Sequence, residues 1–181
     1  MNSITYITGN PGKLAEVKRY LDQEVEHVSL DLPEIQSLSS KEIVEKKARE
    51  AYELVGKPVL VEDVSLVIHS LGGLPGPLIK WFEQALGEEG ICRLVDGKDR
   101  SCTASVLYGY FDGREIIFAE GEMKGSVSDV PRGDNSFGWG PIFVVDGMND
   151  RTYSELTNEE QAEIAMRKKA LTVLRERLLN G

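Results

Sequence analysis

The stretch Ile4-Thr5-Tyr6-Ile7-Thr8-Gly9-Asn10-Pro11-Gly12-Lys13 decides how the fold begins. Its apolar run over residues 4–7 predicts a short buried strand, which glycine, asparagine and proline then break. Apolar side chains return at helical spacing over residues 14–21, with Asn10 suited to the N-cap and Pro11 to the first turn of a helix. The sequence therefore opens with a strand–turn–helix unit.

The turn in this unit is a candidate anion site. Gly9 and Gly12 let the backbone approach a ligand, the amides that open the helix point toward an anion, and Lys13 adds a positive charge. The spacing is shorter than that of a P-loop, and Leu14 stands where a P-loop carries the Ser or Thr that holds Mg2+. An ordinary strand–helix turn with a solvated lysine is the alternative.

Strands and helices alternate over the rest of the chain. Strands are predicted at residues 25–30, 59–61 and 141–145, a further apolar run at residues 66–68 leads into an irregular loop, and a two-stranded hairpin over residues 102–118 turns at Asp112-Gly113. Helices are predicted over residues 39–56, after a Ser39…Glu42 capping box, over residues 81–95, and as one final helix after Thr157. This order favours an α/β or α+β fold with two lobes and a cleft, within one domain over residues 1–181.

Two neighbouring acids are candidate metal ligands. Glu62 and Asp63 directly follow the apolar run 59–61, which is typical of a strand buried on both faces. We expect the strand to end there and to present a carboxylate at its C-terminal edge, where open α/β sheets bind ligands. Hard cations such as Mg2+ prefer carboxylate oxygens, and Glu34 is a second candidate ligand. A helix cap or a solvated turn is the alternative for the pair.

The loop over residues 136–141, SFGWGP, carries two aromatic side chains separated by glycine. Phe137 and Trp139 would make a stacking platform for a nucleotide base, and a hydrophobic lid on the core is the alternative. Arg167 lies close to the apolar stripe of the final helix. Its side chain either reaches along apolar surface to solvent or directs its guanidinium into the cleft.

Composition excludes several classes of protein. The net charge of −9 argues against sequence-independent binding of nucleic acid, which needs a basic surface. Two cysteines without a C-x-x-C pair and two histidines make a disulfide framework, a zinc site and a histidine-based triad poor interpretations. There is no signal-peptide pattern and no apolar stretch of the ~20 residues that span a membrane. We expect a cytoplasmic protein.

Taken in order, these segments resemble the inosine triphosphate pyrophosphatase family. The resemblance rests on residues 8–13 (TGNPGK), 31–34 (DLPE), 61–63 (VED), 71–77 (LGGLPGP), 79–82 (IKWF), 137–139 (FGW) and 152–156 (TYSEL). It implies an elongated mixed central sheet flanked by helices, in two lobes, and commonly a homodimer. The implied activity is hydrolysis of non-canonical purine nucleoside triphosphates (ITP, dITP, XTP) to the monophosphate and pyrophosphate.

The resemblance also assigns roles to particular residues. Glu34 and Asp63 would hold Mg2+, and Asp63 would also accept the proton of the attacking water. Lys13 and Lys47 would hold the triphosphate, Phe137 and Trp139 would sandwich the base, and Arg167 would lie beside it. The substrate contacts predicted in this way are Thr8, Gly9, Asn10, Pro11, Gly12, Lys13, Lys47, Val64, Phe137, Gly138, Trp139, Gly140 and Arg167.

Three positions depart from the family pattern. Gly140 replaces an acid after the aromatic pair, Met166 replaces a histidine before Arg167, and Gln161 replaces a lysine. A divergent paralogue acting on other triphosphates is therefore one alternative. A nucleotide-binding regulator with little turnover is another, although a pure binder has no need of a water-activating acid.

Overall fold

The structure is a computed structural model that describes residues 4–21, 23–135 and 138–180. Its strands are β1 (Ile4–Ile7), β2 (Val25–Val28), β3 (Val59–Ile68), β4 (Pro75–Gly76), β5 (Ser101–Phe111), β6 (Ile116–Val127) and β7 (Phe143–Val145). Its α-helices are α1 (Pro11–Leu21), α2 (Ser40–Val55), α3 (Ile79–Leu94), α4 (Asn158–Ile164) and α5 (Met166–Asn180). Short 3-10 turns cover His69–Leu71, Gly140–Ile142 and Tyr153–Glu155.

The strands form one seven-stranded mixed sheet in the order β2-β1-β3-β5-β6-β7, with β4 paired to β3. β1 is parallel to both β2 and β3, whereas β3 with β4 and β6 with β7 are antiparallel. A mixed sheet accompanied by helices confirms the predicted α/β class. None of the helices in the described ranges is both long and apolar enough to cross a membrane.

The chain divides into two compact units. The first unit comprises Met1–Asp63, Val106–Gly121 and Met166–Gly181, and the second comprises Val64–Ser105 and Glu122–Ala165. Three strands, β3, β5 and β6, contribute one end to each unit. The single domain over residues 1–181, with its cleft, stays a prediction.

The core of the first unit packs α2 on the sheet. Its buried members are apolar and come from β1, α2, β3 and β5: Ile7, Val44, Ala48, Ala51, Val59, Val61, Leu107 and Phe111. Elsewhere in this unit β6 approaches α5 so closely that only glycine fits. A Cβ atom on Gly121 would lie 2.0 Å from the carbonyl oxygen of Met166 and 2.7 Å from the amide nitrogen of Ala170.

In the second unit, Arg100 connects the end of α3 to the end of β6. The guanidinium of Arg100 donates to the carbonyl oxygens of Val127 (2.7 Å), Ser128 (2.6 Å) and Cys92 (3.1 Å). Carbonyl groups in a protein interior need hydrogen-bond donors. This one side chain supplies donors to the carbonyl groups at the end of α3 and at the end of β6.

Local signals in the sequence placed the starts of α1, α2 and α4 correctly. The Asn10 side chain accepts from the amides of Gly12 (2.9 Å) and Lys13 (3.3 Å), as an N-cap does. Ser39 accepts from the Glu42 amide at 3.3 Å. A complete capping box begins α4, and the hairpin turns at Asp112 and Gly113 as predicted.

Several predicted boundaries were wrong. β3 does not end at Glu62 but continues for six more residues to Ile68, because Lys13 and Arg167 neutralise the Glu62 carboxylate inside the strand. The predicted single final helix is two helices, since Ala165 has non-helical angles (φ −48°, ψ 122°). Only residues 143–145 of the predicted strand 141–145 are extended, and β2 stops at Val28.

Candidate active site

The turn after β1 is held by its own side chains. The Asn10 amide donates to the Thr8 hydroxyl at 3.1 Å, and the Asn10 side chain takes the amides of Gly12 and Lys13. A Cβ atom on Gly12 would lie 3.2 Å from Asn10 Oδ1, so glycine leaves room for this cap. The two amides expected to face an anion therefore face asparagine instead in this structure.

A cluster of charges centred on the buried Glu62 carboxylate lies beside this turn, in the first unit. The side chain of Glu62 is 5% exposed, and its Oε1 atom lies 2.6 Å from Lys13 Nζ and 3.1 Å from Arg167 Nη2. Arg167 Nε lies 3.4 Å from Glu62 Oε2 and 3.4 Å from Glu16 Oε2. One carboxylate thus accepts from both cations, and Arg167 bridges two acids.

The surroundings keep Glu62 ionised. Burial would raise the pKa of its carboxyl, but Arg167 and Lys13 outweigh burial and hold that pKa well below its usual range. Tyr6 and Tyr108 are fully buried, and burial together with the charge of Glu62 raises the pKa of both phenols. The cluster therefore has a permanent negative charge at its centre.

Asp63 has a different environment from its neighbour in sequence. Burial is the main cause that raises the pKa of Asp63 to about 6; a hydrogen bond from Ser40 and the charge of Lys47 oppose the rise, while Glu34 adds to it. Its Oδ2 atom is buried and has no hydrogen-bond partner. A carboxylate that has one oxygen without a hydrogen-bond partner and a pKa near neutrality can accept a proton at physiological pH.

Lys47 joins this carboxylate region to the strand. Its ammonium donates to the carboxylate of Glu34 and, at 3.2 Å, to the backbone carbonyl of Glu62. The Glu34 side chain is 52% exposed, so one face of it is open to solvent. The structure therefore brings Glu34, Lys47 and Asp63 close to one another.

This pair of acids suits Mg2+ better than a more demanding metal. Within the described residues there is no group of three or more His, Cys, Asp or Glu side chains that would enclose an ion. Mg2+ commonly takes one or two carboxylates and completes its shell with water and substrate phosphates. The orphaned Oδ2 of Asp63 and the exposed carboxylate of Glu34 fit that requirement.

The aromatic loop belongs to the second unit. The Trp139 ring meets Phe143 edge-on, with centroids 5.2 Å apart, and is tilted against Tyr153 at 6.2 Å. Gly138 has a φ of 64°, and a Cβ atom at this position would lie 3.1 Å from Glu83 Oε1, while Gly140 begins a buried 3-10 turn. Phe137 lies outside the described residues, so the predicted sandwich stays a prediction; Val64 lies half-buried in β3.

Two of the departures from the family pattern have structural roles. The Gln161 side-chain amide donates to the carbonyl oxygens of Tyr153 (2.7 Å) and Asn135 (3.0 Å), so it braces the segment before the aromatic loop. Met166 is buried, 4% exposed, where α5 meets β6. For Arg167 the solvent-reaching alternative is wrong, because its guanidinium is held by Glu62 and Glu16.

Sequence reasoning missed Glu16 and Ser40, and it treated Glu62 and Asp63 as one acidic pair. Consecutive residues of a strand point to opposite faces, so Glu62 and Asp63 must have separate environments once both lie inside β3. That alternation was readable from the sequence; the Glu16–Arg167 contact was not, because it joins α1 to α5 across the chain.

Fold and sequence together define the class of this protein. The chain belongs to the Ham1 family, whose model matches residues 4–177. A HAM1 protein from Coxiella burnetii has a similar structure, with a TM-score of 0.86 and 27% identity over the whole of both chains.

Named relatives are more specific. Inosine triphosphate pyrophosphatase 2 of Trypanosoma cruzi is 42% identical over 178 residues, which cover 96% of this chain and 91% of the relative. The dITP/XTP pyrophosphatase of Methanopyrus kandleri is 41% identical over 174 residues, covering 93% and 92%. A solved structure of a nucleoside-triphosphatase and dITP/XTP pyrophosphatase from Mycobacterium abscessus has a TM-score of 0.78 and 30% identity, covering 96% and 98%.

Proposed function

We propose that this protein hydrolyses the non-canonical purine triphosphates ITP, dITP and XTP to the nucleoside monophosphate and pyrophosphate. Relatives with these activities in their names support the substrate class. The observation that carries the proposal is Asp63, whose buried Oδ2 has no partner and whose pKa is raised to about 6. An ordinary structural aspartate would be paired or solvated at this position.

Asp63 serves as the proton acceptor in this reaction. A water oxygen forms a bond to the α-phosphorus, the bond from that phosphorus to the bridging oxygen of the β-phosphate breaks, and pyrophosphate leaves with the electron pair. The Asp63 carboxylate takes the proton that the water loses. In the metal-free protein the Asp63 carboxyl has a pKa of about 6, so it is ionised at pH 7 and able to accept a proton.

Glu34 and Asp63 would hold Mg2+, which supplies positive charge to the phosphate oxygens when it is bound. The two acids differ in the role that the protein gives them. The Glu34 carboxylate is held by Lys47, whereas the Asp63 carboxylate receives its hydrogen bond from Ser40. This arrangement leaves the second oxygen of Asp63 for the reaction.

The remaining residues bind the substrate. Lys13 and Lys47 contribute positive charge to the triphosphate, and the amides of Gly12 and Lys13 join them only when they exchange the Asn10 side chain for phosphate oxygens. Phe137 and Trp139 enclose the base, with Trp139 already supported by two other rings. As the resemblance implies, Arg167 would lie beside the base, where guanidinium donors would favour the oxygen at position 6 of hypoxanthine and xanthine over the amino group of adenine.

We also propose that the protein works as a homodimer, as the resemblance implies, and that it works in the cytoplasm, as the composition suggests. Light scattering coupled to size-exclusion chromatography of the full chain measures the assembly. A mass corresponding to one 20.1 kDa chain at all concentrations would contradict the dimer.

Pyrophosphate release from a panel of triphosphates in the presence of Mg2+ tests the function. We expect release from ITP, dITP and XTP, with one monophosphate formed for each pyrophosphate. Appearance of diphosphate and orthophosphate would contradict attack at the α-phosphorus. Binding of ITP without any release would instead favour the regulator. Asp63→Asn is the matched control, because it keeps the shape of the side chain and removes the base.

A further inference from the structure

The Glu62 carboxylate is unusual because its two oxygens are loaded unequally. Oε1 accepts from Lys13 at 2.6 Å and from Arg167 Nη2 at 3.1 Å, whereas Arg167 Nε, at 3.4 Å, is the one cationic partner of Oε2 among the described residues; the buried phenols of Tyr6 and Tyr108 also face this carboxylate. Two cations therefore compete for one oxygen of a buried acid. The mechanism proposed above gives Glu62 no role. Removing a buried acid that pairs with two cations leaves those cations unpaired and is costly, so Glu62 matters to the site even without touching the substrate.

The competing cations come from opposite ends of the chain and have different proposed tasks. Lys13 lies in the first turn of α1, beside the triphosphate-binding segment, and its side chain is 27% exposed. Arg167 opens α5, is 15% exposed, and shares its Nε between Glu62 and Glu16. Only Lys13 has much freedom to leave the cluster for a ligand.

We infer that Glu62 is a positioning residue that couples the triphosphate-binding lysine to the base-facing arginine. This inference rests on the proposed function of the same site. A triphosphate draws the Lys13 ammonium away from Oε1, and Arg167 then becomes the main cation on Glu62. The guanidinium moves toward Glu62 and away from Glu16, so an occupied phosphate site fixes the group that reads the base.

The coupling is tested with a ligand that has no base, a non-hydrolysable imido analogue of inorganic tripolyphosphate. Its Kd is measured by calorimetry in the presence of Mg2+ for the wild-type protein, Arg167→Met, Glu62→Gln and the double variant. An arginine that acts only on the base leaves this Kd unchanged, apart from direct attraction to the phosphates. That direct term is the same whether residue 62 is Glu or Gln, so comparing the two backgrounds removes it.

With Glu62 present, Arg167→Met leaves the whole negative charge to Lys13, which holds the ammonium back from the ligand. We expect Arg167→Met to weaken binding at least about fivefold more in the wild-type background than in the Glu62→Gln background. Equal effects in the two backgrounds would overturn the coupling and leave the proposed function intact. No binding to the wild-type protein would overturn the triphosphate site itself, and the coupling with it.

A matched control cycle uses Arg49→Met and Glu45→Gln, a surface pair four residues apart on α2. We expect those four proteins to bind within about twofold of one another. Should Glu62→Gln fail to fold, the Arg167 Nε–H resonance provides a second measurement. It should shift when the base-free ligand saturates the wild-type protein and stay in place when the ligand saturates Lys13→Met; the same shift in both saturated proteins would overturn the inference.

Discussion

Replacing Asp63 by asparagine should inactivate the protein and stabilise it at the same time. The pKa of this carboxyl rises from its ordinary value of 3.8 to about 6, mainly because it is buried. The protonated form is therefore favoured in the fold, and ionising the group at neutral pH costs up to about 3 kcal/mol of folding free energy. Asparagine keeps the shape and carries no charge.

The pH dependence separates this effect from any packing change. In the wild-type protein, the folding free energy lost by ionising Asp63 is small below 3.8, the pKa of this carboxyl in the unfolded chain. The loss grows as pH rises from 3.8 toward 6 and is constant above 6. It amounts to about 1 kcal/mol at pH 4.5 and about 3 kcal/mol at pH 7.5. The stability of Asp63→Asn relative to wild type should therefore increase by about 2 kcal/mol between these two pH values.

Urea unfolding of the metal-free proteins at both pH values measures this difference, and ITP hydrolysis is measured alongside. We expect turnover to fall about 100-fold or more while ITP binding persists. Adding Mg2+ should stabilise wild type more than the variant, since only wild type keeps both acids. A pH-independent stability difference would show that the fold does not raise the pKa of Asp63. Hydrolysis at a near-wild-type rate would refute its catalytic role.

Three further outcomes are expected. Excess chelator should abolish hydrolysis and Mg2+ should restore it, whereas full activity in chelator would contradict the carboxylate metal site. ITP and XTP should be preferred over ATP in kcat/KM by roughly ten- to hundredfold, because donors left facing an amino group cost about 1–3 kcal/mol each; equal values for ITP and ATP would mean that position 6 is not read. Arg100→Met should lower the free energy of unfolding by about 2–4 kcal/mol by orphaning carbonyl groups in the second unit, whereas Arg93→Met, which loses only a surface pair with Glu89, should change it by less than about 0.5 kcal/mol.

Short-range chemistry was readable from the sequence. Asn10, Ser39 and Thr157 were recognised as helix caps because capping depends on a side chain and an amide two or three residues away. The hairpin at Asp112 followed from its turn residues in the same way. These contacts need no knowledge of the rest of the fold.

Long-range compensation was not readable. A glutamate normally ends a buried strand, and nothing near Glu62 in sequence indicates that Lys13 and Arg167 neutralise it. The amides after Asn10 look open to an anion until its side chain is seen to occupy them. Grouping Glu34, Lys47 and Asp63 likewise required either the structure or the resemblance, because the three come from separate segments.

The first unit is built from segments far apart in the sequence, so it cannot complete its folding until the last of them has been translated. The first unit includes Met166–Gly181, so its last helix is translated after every other segment of both units. Glu62 is therefore made long before Arg167, and during synthesis it has Lys13 as its earlier cation. A nascent chain that stops short of α5 lacks the arginine and the helix that closes on Gly121. Premature termination anywhere upstream of α5 should therefore yield an incompletely folded chain that chaperones and proteases remove, rather than a partly active enzyme.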